Sequence, residues 1–336
     1  MDLRSTNAAV DPYILPVCFG FLKITTTVLK NTPLTFVLIT RKSRHRAGTR
    51  YLTRGVDEEG HVSNFNETEQ VVIVGASDGG GYSQDTIGSH RAAEKVQILS
   101  YVQTRGSVPV FWAEVNNLSY TPKLQIRGVD TALAASRAHF DEQIRLYGDN
   151  YLVNLVNQKG REERVKAAYE EIVKLLVTAP VESKKPSDLS SERFREIESA
   201  KREQRMDRLH YVYFDFHHEC RGMAWHRAML LLDRIGEGLQ HQKYFHSVEG
   251  GGGGGAAGGV QCMQQSVVRT NCMDCLDRTN VVQSMLARWT LNRQMVDIGV
   301  LAPGESIEAF ANFEFMFRNG MFLGPLDAYR IYLFIC

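Results

Sequence analysis

The stretch from Val267 to Trp289 does most to limit what this chain can fold into. Val267 and Val268 precede a run of short polar residues, after which Val281, Val282, Met285, Leu286 and Trp289 recur at helical spacing. A strand that passes through a short loop into a helix is the repeating unit of α/β proteins. Such a unit also aims loop N–H groups and a helix N-terminus at one point, which favours a bound anion.

The rest of the sequence carries the same alternation. Pro33–Ser43, PLTFVLITRKS, is apolar and β-branched and predicts a buried strand running into a basic loop. Further strands are expected at Val108–Val115 and His210–His218, where Val212, Phe214 and Phe216 alternate with Tyr211, Tyr213 and Asp215. Helices are expected over Asp130–Leu146, Glu162–Val177 and Glu219–Ile235, the last on a face formed by Met223, Arg227, Leu230 and Leu231. The expectation is an α/β fold with a mixed central sheet flanked by helices. Segments near 75–94, 183–205 and 249–260 are Gly/Ser-rich, densely charged and nearly all glycine respectively, and read as surface insertions. The glycine tract lacks the Gly-Lys-Ser/Thr ending of a phosphate cradle and reads as a flexible linker.

Composition excludes several classes. Net charge is only +1 over 336 residues, so a polyanionic partner has to be argued from local patches. Arg41, Lys42, Arg44, Arg46 and Arg50 form one. It is either a solvated loop or an attraction to an anionic membrane surface, worth about 1 kcal/mol per basic residue. Aromatic residues do not interleave with it as they do in single-strand nucleic-acid binders, so no nucleic acid is expected. No run reaches the about 20 apolar residues that cross a bilayer, and the N-terminus lacks a secretory pattern, so a soluble chain exposed to the cytosol is expected. Six cysteines in a chain this long read as reduced thiols rather than a disulfide framework.

The chemistry concentrates in RTNCMDCLDRTN, residues 269–280, where Cys272 opens the loop and Arg278 closes it with five residues between. Over that length the guanidinium folds back in front of the sulfur and grips two phosphate oxygens. A helix N-terminus and adjacent cations lower a thiol pKa from about 8.5 to roughly 3.5–7.5, which makes Cys272 a nucleophile for in-line attack on phosphorus. The backbone of Met273, Cys275 and Leu276 would line the same anion seat. A carboxyl group has to protonate the leaving alkoxide and then activate water. Asp277, beside the clamp, is the first choice, Asp274 the second and Asp215 the third. Thr279 is expected to hydrogen-bond the thiolate and to cap the helix, and Asn271 to hold the loop through bonds to backbone. No metal or cofactor is called for.

RTNCMDCLDRTN resembles the Cys-x5-Arg-Thr signature of the Sac phosphoinositide phosphatases. SNFNETEQ (63–70), QTRGSVP (103–109), FWAEVNN (111–117), YGDNYLVNLVN (147–157) and YFDFHHEC (213–220) are similar to Sac blocks in the family's order. The resemblance covers residues 16–319 and is nearest the endoplasmic-reticulum lipid phosphatase branch. It leaves 1–15 as an N-terminal tail and 320–336 as a divergent C-terminal tail. It implies a catalytic domain like that of the protein tyrosine phosphatases. The implied activity is removal of phosphate, chiefly the 4-phosphate, from phosphatidylinositol monophosphates, at the cytosolic face of the endoplasmic reticulum or Golgi. Cys272 and Arg278 fall on the family's nucleophile and clamp, and the related myotubularin phosphatases carry an aspartate in the place of Asp277. Family members usually carry an additional N-terminal subdomain, and the reticulum branch a C-terminal membrane anchor. Neither pattern is found here, so a truncated, inactive phosphoinositide-binding fragment is the alternative.

Other readings stay beside it. Cys272-x2-Cys275 is half of a zinc set without a matching pair at Cys262, or a redox couple in which Cys275 traps oxidised Cys272. His217, His218 and Glu219 either support a wall of the site or bring one imidazole, His217, to substrate. A phosphotyrosine phosphatase would have a loop richer in glycine and without paired aspartates.

Overall fold

The computed structural model describes residues 17–18, 20–46, 53–75, 95–115, 122–178, 206–249, 258–275, 277–320 and 334–335. Among the described residues the first strand is β1 (Val17–Cys18), followed by four long strands: β2 (Gly20–Leu29), β3 (Thr32–Lys42), β4 (Asn66–Val74) and β5 (Val96–Arg105). A two-stranded ribbon of β6 (Trp112–Glu114) and β7 (Leu124–Ile126) leads into helix α1 (Val129–Tyr147). Next come β8 (Asp149–Asn154), α2 (Glu163–Thr178), β9 (Leu209–Tyr213), the single turn α3 (Phe216–Glu219) and α4 (Leu230–Gln242). The chain continues through β10 (Phe245–Glu249), β11 (Gly259–Cys262), β12 (Ser266–Asn271), α5 (Asp277–Asp297), α6 (Ala311–Arg318) and β13 (Phe334–Ile335), the last paired with β1.

The main sheet runs β2-β3-β4-β5-β12-β8-β9. β2 to β5 form antiparallel pairs, whereas β5–β12, β12–β8 and β8–β9 are parallel. The sheet is therefore mixed, as expected, and helices cover both faces of its parallel half. α1 and α2 pack Phe140, Val165, Tyr169 and Ile172 on Leu152 and Leu209, while α4 and α5 pack Leu231, Ile235, Val282 and Leu286 on Val153 and Val268. The antiparallel half shows the alternation of a sheet covered on one side: Leu34, Phe36, Leu38 and Thr40 of β3 face inward toward Leu291, Phe313 and Phe317. Each such Leu or Phe contributes about 1.5–3 kcal/mol when fully buried.

β5 is where the halves meet. β10 pairs with its first part, at residues 96–100, and β12 with its last two residues. Between them Gln264 stands in for a strand, its carboxamide accepting from Val102 N–H at 2.9 Å and donating to the Val102 carbonyl at 2.7 Å. Only Gly148 separates α1 from β8. Its φ is +79° and its N–H closes the helix on the Ile144 carbonyl at 2.9 Å, while a Cβ there would lie 2.3 Å from the Gln265 carbonyl oxygen.

Several expectations need correcting. The strand expected at Val108–Val115 is limited to Trp112–Glu114 in the side ribbon; the ladder strand lies just upstream, at Val96–Arg105. The strand at His210–His218 ends at Tyr213, because Asp215 caps a helical turn by accepting from His218 N–H at 3.1 Å. The helix expected at Glu219–Ile235 begins only at Leu230, since Gly222 takes a φ of +67° and breaks the preceding turns. The Gly/Ser-rich and charged insertions and the glycine tract lie largely outside the described residues, whereas Gly259, at the tract's far end, pairs with Val248 in the β10–β11 hairpin.

Candidate active site

All six residues of β12 are buried, and the strand is flanked in parallel by β5 and β8. Its C-terminal end therefore opens among the carboxyl ends of parallel strands, where α/β proteins place their ligands. Cys272 is the first residue beyond it and is 2% exposed. The chain then turns through Cys275, which has a φ of +54°. A left-handed non-glycine residue costs roughly 1–2 kcal/mol, and such strain concentrates at functional sites. The turn carries the Cys275 N–H back to the Cys272 sulfur at 3.1 Å, and the Cys275 thiol faces the Cys272 carbonyl at 3.5 Å. The hydrogen bond with Cys272, reinforced by burial, pushes the Cys275 thiol well above its ordinary pKa. Cys275 is thus a neutral donor inside the loop.

The loop is held from outside by two different devices. On the β12 side, Asn271 is fully buried and donates to Asn154 Oδ1 at 2.7 Å. Asn154 Oδ1 also accepts from Val156 N–H at 3.1 Å, and its amide donates to the Tyr211 hydroxyl at 2.9 Å. Asn271 therefore ties strand end to strand end through side chains, rather than gripping loop backbone as the sequence suggested. One turn into α5, Asn280 accepts from the buried Arg105, which joins the helix to β5.

On the other side, charged groups form a chain that starts and ends in the loop. Asp274 accepts from Arg54, whose side chain is 2% exposed. Arg54 also donates to Glu114 at 2.8 and 3.0 Å, and Glu114 pairs with Arg161 at 3.0 Å. The next residue, Glu162, grips Arg278 with both oxygens, at 2.8 Å to Nη1 and 3.0 Å to Nη2. Nη1 additionally reaches the Leu155 carbonyl at 3.1 Å and Asn157 Oδ1 at 3.2 Å. Burial works against the Arg278 charge, but Cys272, Glu162 and Asp274 outweigh it and hold the guanidinium above its ordinary pKa.

The candidate residues fall into place unevenly. Cys272 and Arg278 stand at the two ends of one loop, with Met273 and Cys275 buried between them. Asp274 is tied to Arg54, whereas Asp277 is exposed in the first turn of α5. Leu276 lies outside the described residues. Thr279 is fully buried within α5 rather than capping it, because the left-handed turn at Cys275 lets the helix start at Asp277. His217 is exposed on α3, and Asp215 is the cap of that turn. The basic patch is partly consumed by the fold: Arg41 pairs with Glu67 and Glu69 at 2.7 and 2.6 Å, and Arg46 donates to Ser63 Oγ and the Arg54 carbonyl. Arg50 lies outside the described residues.

Sequence reasoning missed Arg54, Glu114, Asn157, Arg161 and Glu162. Glu114 and Asn157 sit in Sac-like blocks; Arg54, Arg161 and Glu162 carry no local signal, since Glu162 and Arg278 are 116 positions apart.

The model of the SacI homology domain matches residues 2–221. The chain belongs to the SacI homology domain family. This Sac domain is 44% identical over 311 residues to the phosphatidylinositol-3-phosphatase SAC1 of Saccharomyces cerevisiae, covering 91% of this chain and 42% of the yeast protein. SAC1-B of Danio rerio, also named a phosphatidylinositol-3-phosphatase, is 36% identical over 91% of this chain and 43% of its own. The phosphatidylinositide phosphatase SAC2 of Homo sapiens is 33% identical over 92% of this chain and 25% of its own. The family match ends before residues 269–280, but the yeast match leaves too little of this chain outside it to omit Cys272 and Arg278. The chain spans less than half the length of these relatives. No helix among the described residues is long and apolar enough to cross a membrane.

Proposed function

We propose that the chain is a cysteine-dependent phosphoinositide phosphatase acting on phosphatidylinositol monophosphates, chiefly the 4-phosphate. The observation that carries the reading is the pairing of a buried Cys272, which accepts a loop N–H, with Arg278 at the far end of the same loop in a Sac-family chain. The Cys272 thiolate attacks phosphorus in line with the bond to the ring oxygen. The P–O bond breaks, the ring oxygen takes a proton from Asp277, and a phosphocysteine remains. Asp277 then accepts a proton from water as the oxygen of that water displaces the sulfur, giving inorganic phosphate and free thiolate. Arg278 and the loop N–H groups face the charge on the equatorial oxygens throughout.

Asp277 is favoured over Asp274 as the acid because Asp274 is committed to Arg54, while Asp277 stands exposed at the loop's exit. Met273, Cys275 and Leu276 contribute backbone to the anion seat, Asn271 and Thr279 hold its two ends, and His217 borders the approach. The catalytic domain extends over residues 16–319 with a core related to the protein tyrosine phosphatases. Its substrate lies in an anionic membrane surface, on the cytosolic face of the endoplasmic reticulum or Golgi. The names of the relatives support ring-monophosphate chemistry; the preference for the 4-position follows from the family resemblance.

The test is phosphate release from a short-chain, water-soluble phosphatidylinositol 4-phosphate, with and without chelator, comparing the chain with Cys272→Ser. Turnover that survives chelation and is lost in the variant is expected. Lipid binding without turnover by the unmodified chain would instead make it an inactive phosphoinositide-binding fragment.

A further inference from the structure

We propose that Glu162 is the positioning residue of the phosphate clamp, an inference that rests on the phosphatase reading above. A guanidinium has five N–H donors arranged along two edges, each able to meet an oxyanion in fork fashion. Glu162 takes the Nη1–Nη2 edge of Arg278 with both carboxylate oxygens. The Leu155 carbonyl and Asn157 Oδ1 also accept from Nη1. The other edge, Nε with the outer Nη2 proton, is the one that meets two phosphate oxygens.

Glu162 is itself fixed. Its Oε2 accepts from Asn157 N–H at 2.8 Å, and its backbone ends the short turn Gly160–Glu162 that leads into α2. Arg278 has a long side chain with many rotamers, and its own helix does not define where the guanidinium sits. The turn before α2 defines it from across the sheet, so the clamp is ordered before phosphate arrives. Glu162 thereby acts on the substrate only through Arg278.

The experiment compares the chain with Glu162→Gln, Glu162→Asp and Asn157→Ala. It measures kcat and KM on the soluble lipid, protection of Cys272 from iodoacetamide by inorganic phosphate, and thermal unfolding. Glu162→Gln is expected to lower kcat about 10- to 100-fold, the range that a misplaced positioning group produces, with a rise in KM of no more than about tenfold. Phosphate protection should weaken about tenfold. Glu162→Asp, which keeps the charge, should recover part of both losses. Asn157→Ala, which keeps the backbone bond to Glu162, should lose less than tenfold in kcat and serves if Glu162→Gln does not fold. A Glu162→Gln chain that unfolds earlier yet keeps kcat and phosphate protection would overturn the proposal, as would one that binds phosphate more tightly than the parent. An unmodified chain without turnover would bring down the phosphatase reading itself, and the positioning role with it.

Discussion

The two ends of the candidate catalytic loop are secured by opposite means. The cysteine end continues a strand whose six residues pair one for one with Asp149–Asn154, and the ladder runs on through Leu155 N–H to the Asn271 carbonyl at 2.9 Å. Its added side-chain bonds are neutral amides. The arginine end is secured by carboxylates and guanidinium groups drawn from residues 54, 114, 161 and 162. A backbone ladder fixes position and is indifferent to salt and to most substitutions. A chain of part-buried ion pairs fixes direction, and removing a single member leaves a charge without its partner. The arrangement suits the proposed reaction, in which the nucleophile must not move and the clamp must be aimed.

The two loop aspartates separate aiming from chemistry. Asp277→Asn removes the proposed proton donor and should lower kcat on the lipid by about 100-fold or more. The loss should shrink on p-nitrophenyl phosphate, whose leaving group needs no proton. Asp274→Asn can still accept from Arg54, so it should cost less than about tenfold and equally on both substrates. The reverse order would make Asp274 the acid and Asp277 a bystander.

Stability should show the same contrast between charged and neutral supports. Arg54→Met removes one of Glu114's two partners and frees Asp274, and should cost about 3 kcal/mol, at the low end for a broken buried pair because Arg161 still holds Glu114. Asn271→Ala leaves Asn154 partly unsatisfied and should cost about 1–3 kcal/mol. Both are read from urea unfolding curves. If Asn271→Ala proves the more damaging of the two, the neutral end carries more of the stability than its bonds suggest.

The cysteine end was legible in the sequence and the arginine end was not, for a physical reason. Val267 and Val268, the Cys-x5-Arg spacing and the apolar positions after 280 are local signals, and strand, loop and helix follow from them within about 25 residues. The partners of Asp274 and Arg278 come from other elements, and nothing in the sequence near Arg54 or Glu162 distinguishes them from surface charges. The strand content of β4 and β5 was hidden because much of what they bury is polar. Asn66, Thr68, Gln70, Gln103 and Thr104 are buried, and Gln70 and Gln103 donate to the Ala287 and Gln283 carbonyls of α5 at 3.0 Å. A hydrophobic period cannot be read from such residues. The strand at 210–218 was overextended for the opposite reason, since its apolar alternation continues past the Asp215 cap.

The smallest expected effect concerns Arg269, the charged residue buried within the cysteine end itself. It is fully buried in β12 and donates to the Ser107 carbonyl at 2.8 Å and to His139 Nε2 at 3.2 Å. His139 must be neutral to accept that bond. Burial, and then the Arg269 charge, lowers its pKa well below the ordinary value, against the weaker pull of its bond to Gly60. The unfolded chain therefore binds a proton below about pH 6.5 that the folded chain does not, and stability is full above that pH and falls as pH drops below it. One unit below, at pH 5.5, the loss attributable to His139 is at most about 1.4 kcal/mol. Urea unfolding at pH 7.5 and 5.5 measures it, with His139→Gln as the control. Glutamine keeps an acceptor for Arg269 but does not titrate, so this variant should lose up to about 1.4 kcal/mol less between the two pH values than the parent. Equal losses in parent and variant would mean that the acid sensitivity does not come from His139, and that the buried strand end is as indifferent to pH as its neutral amides.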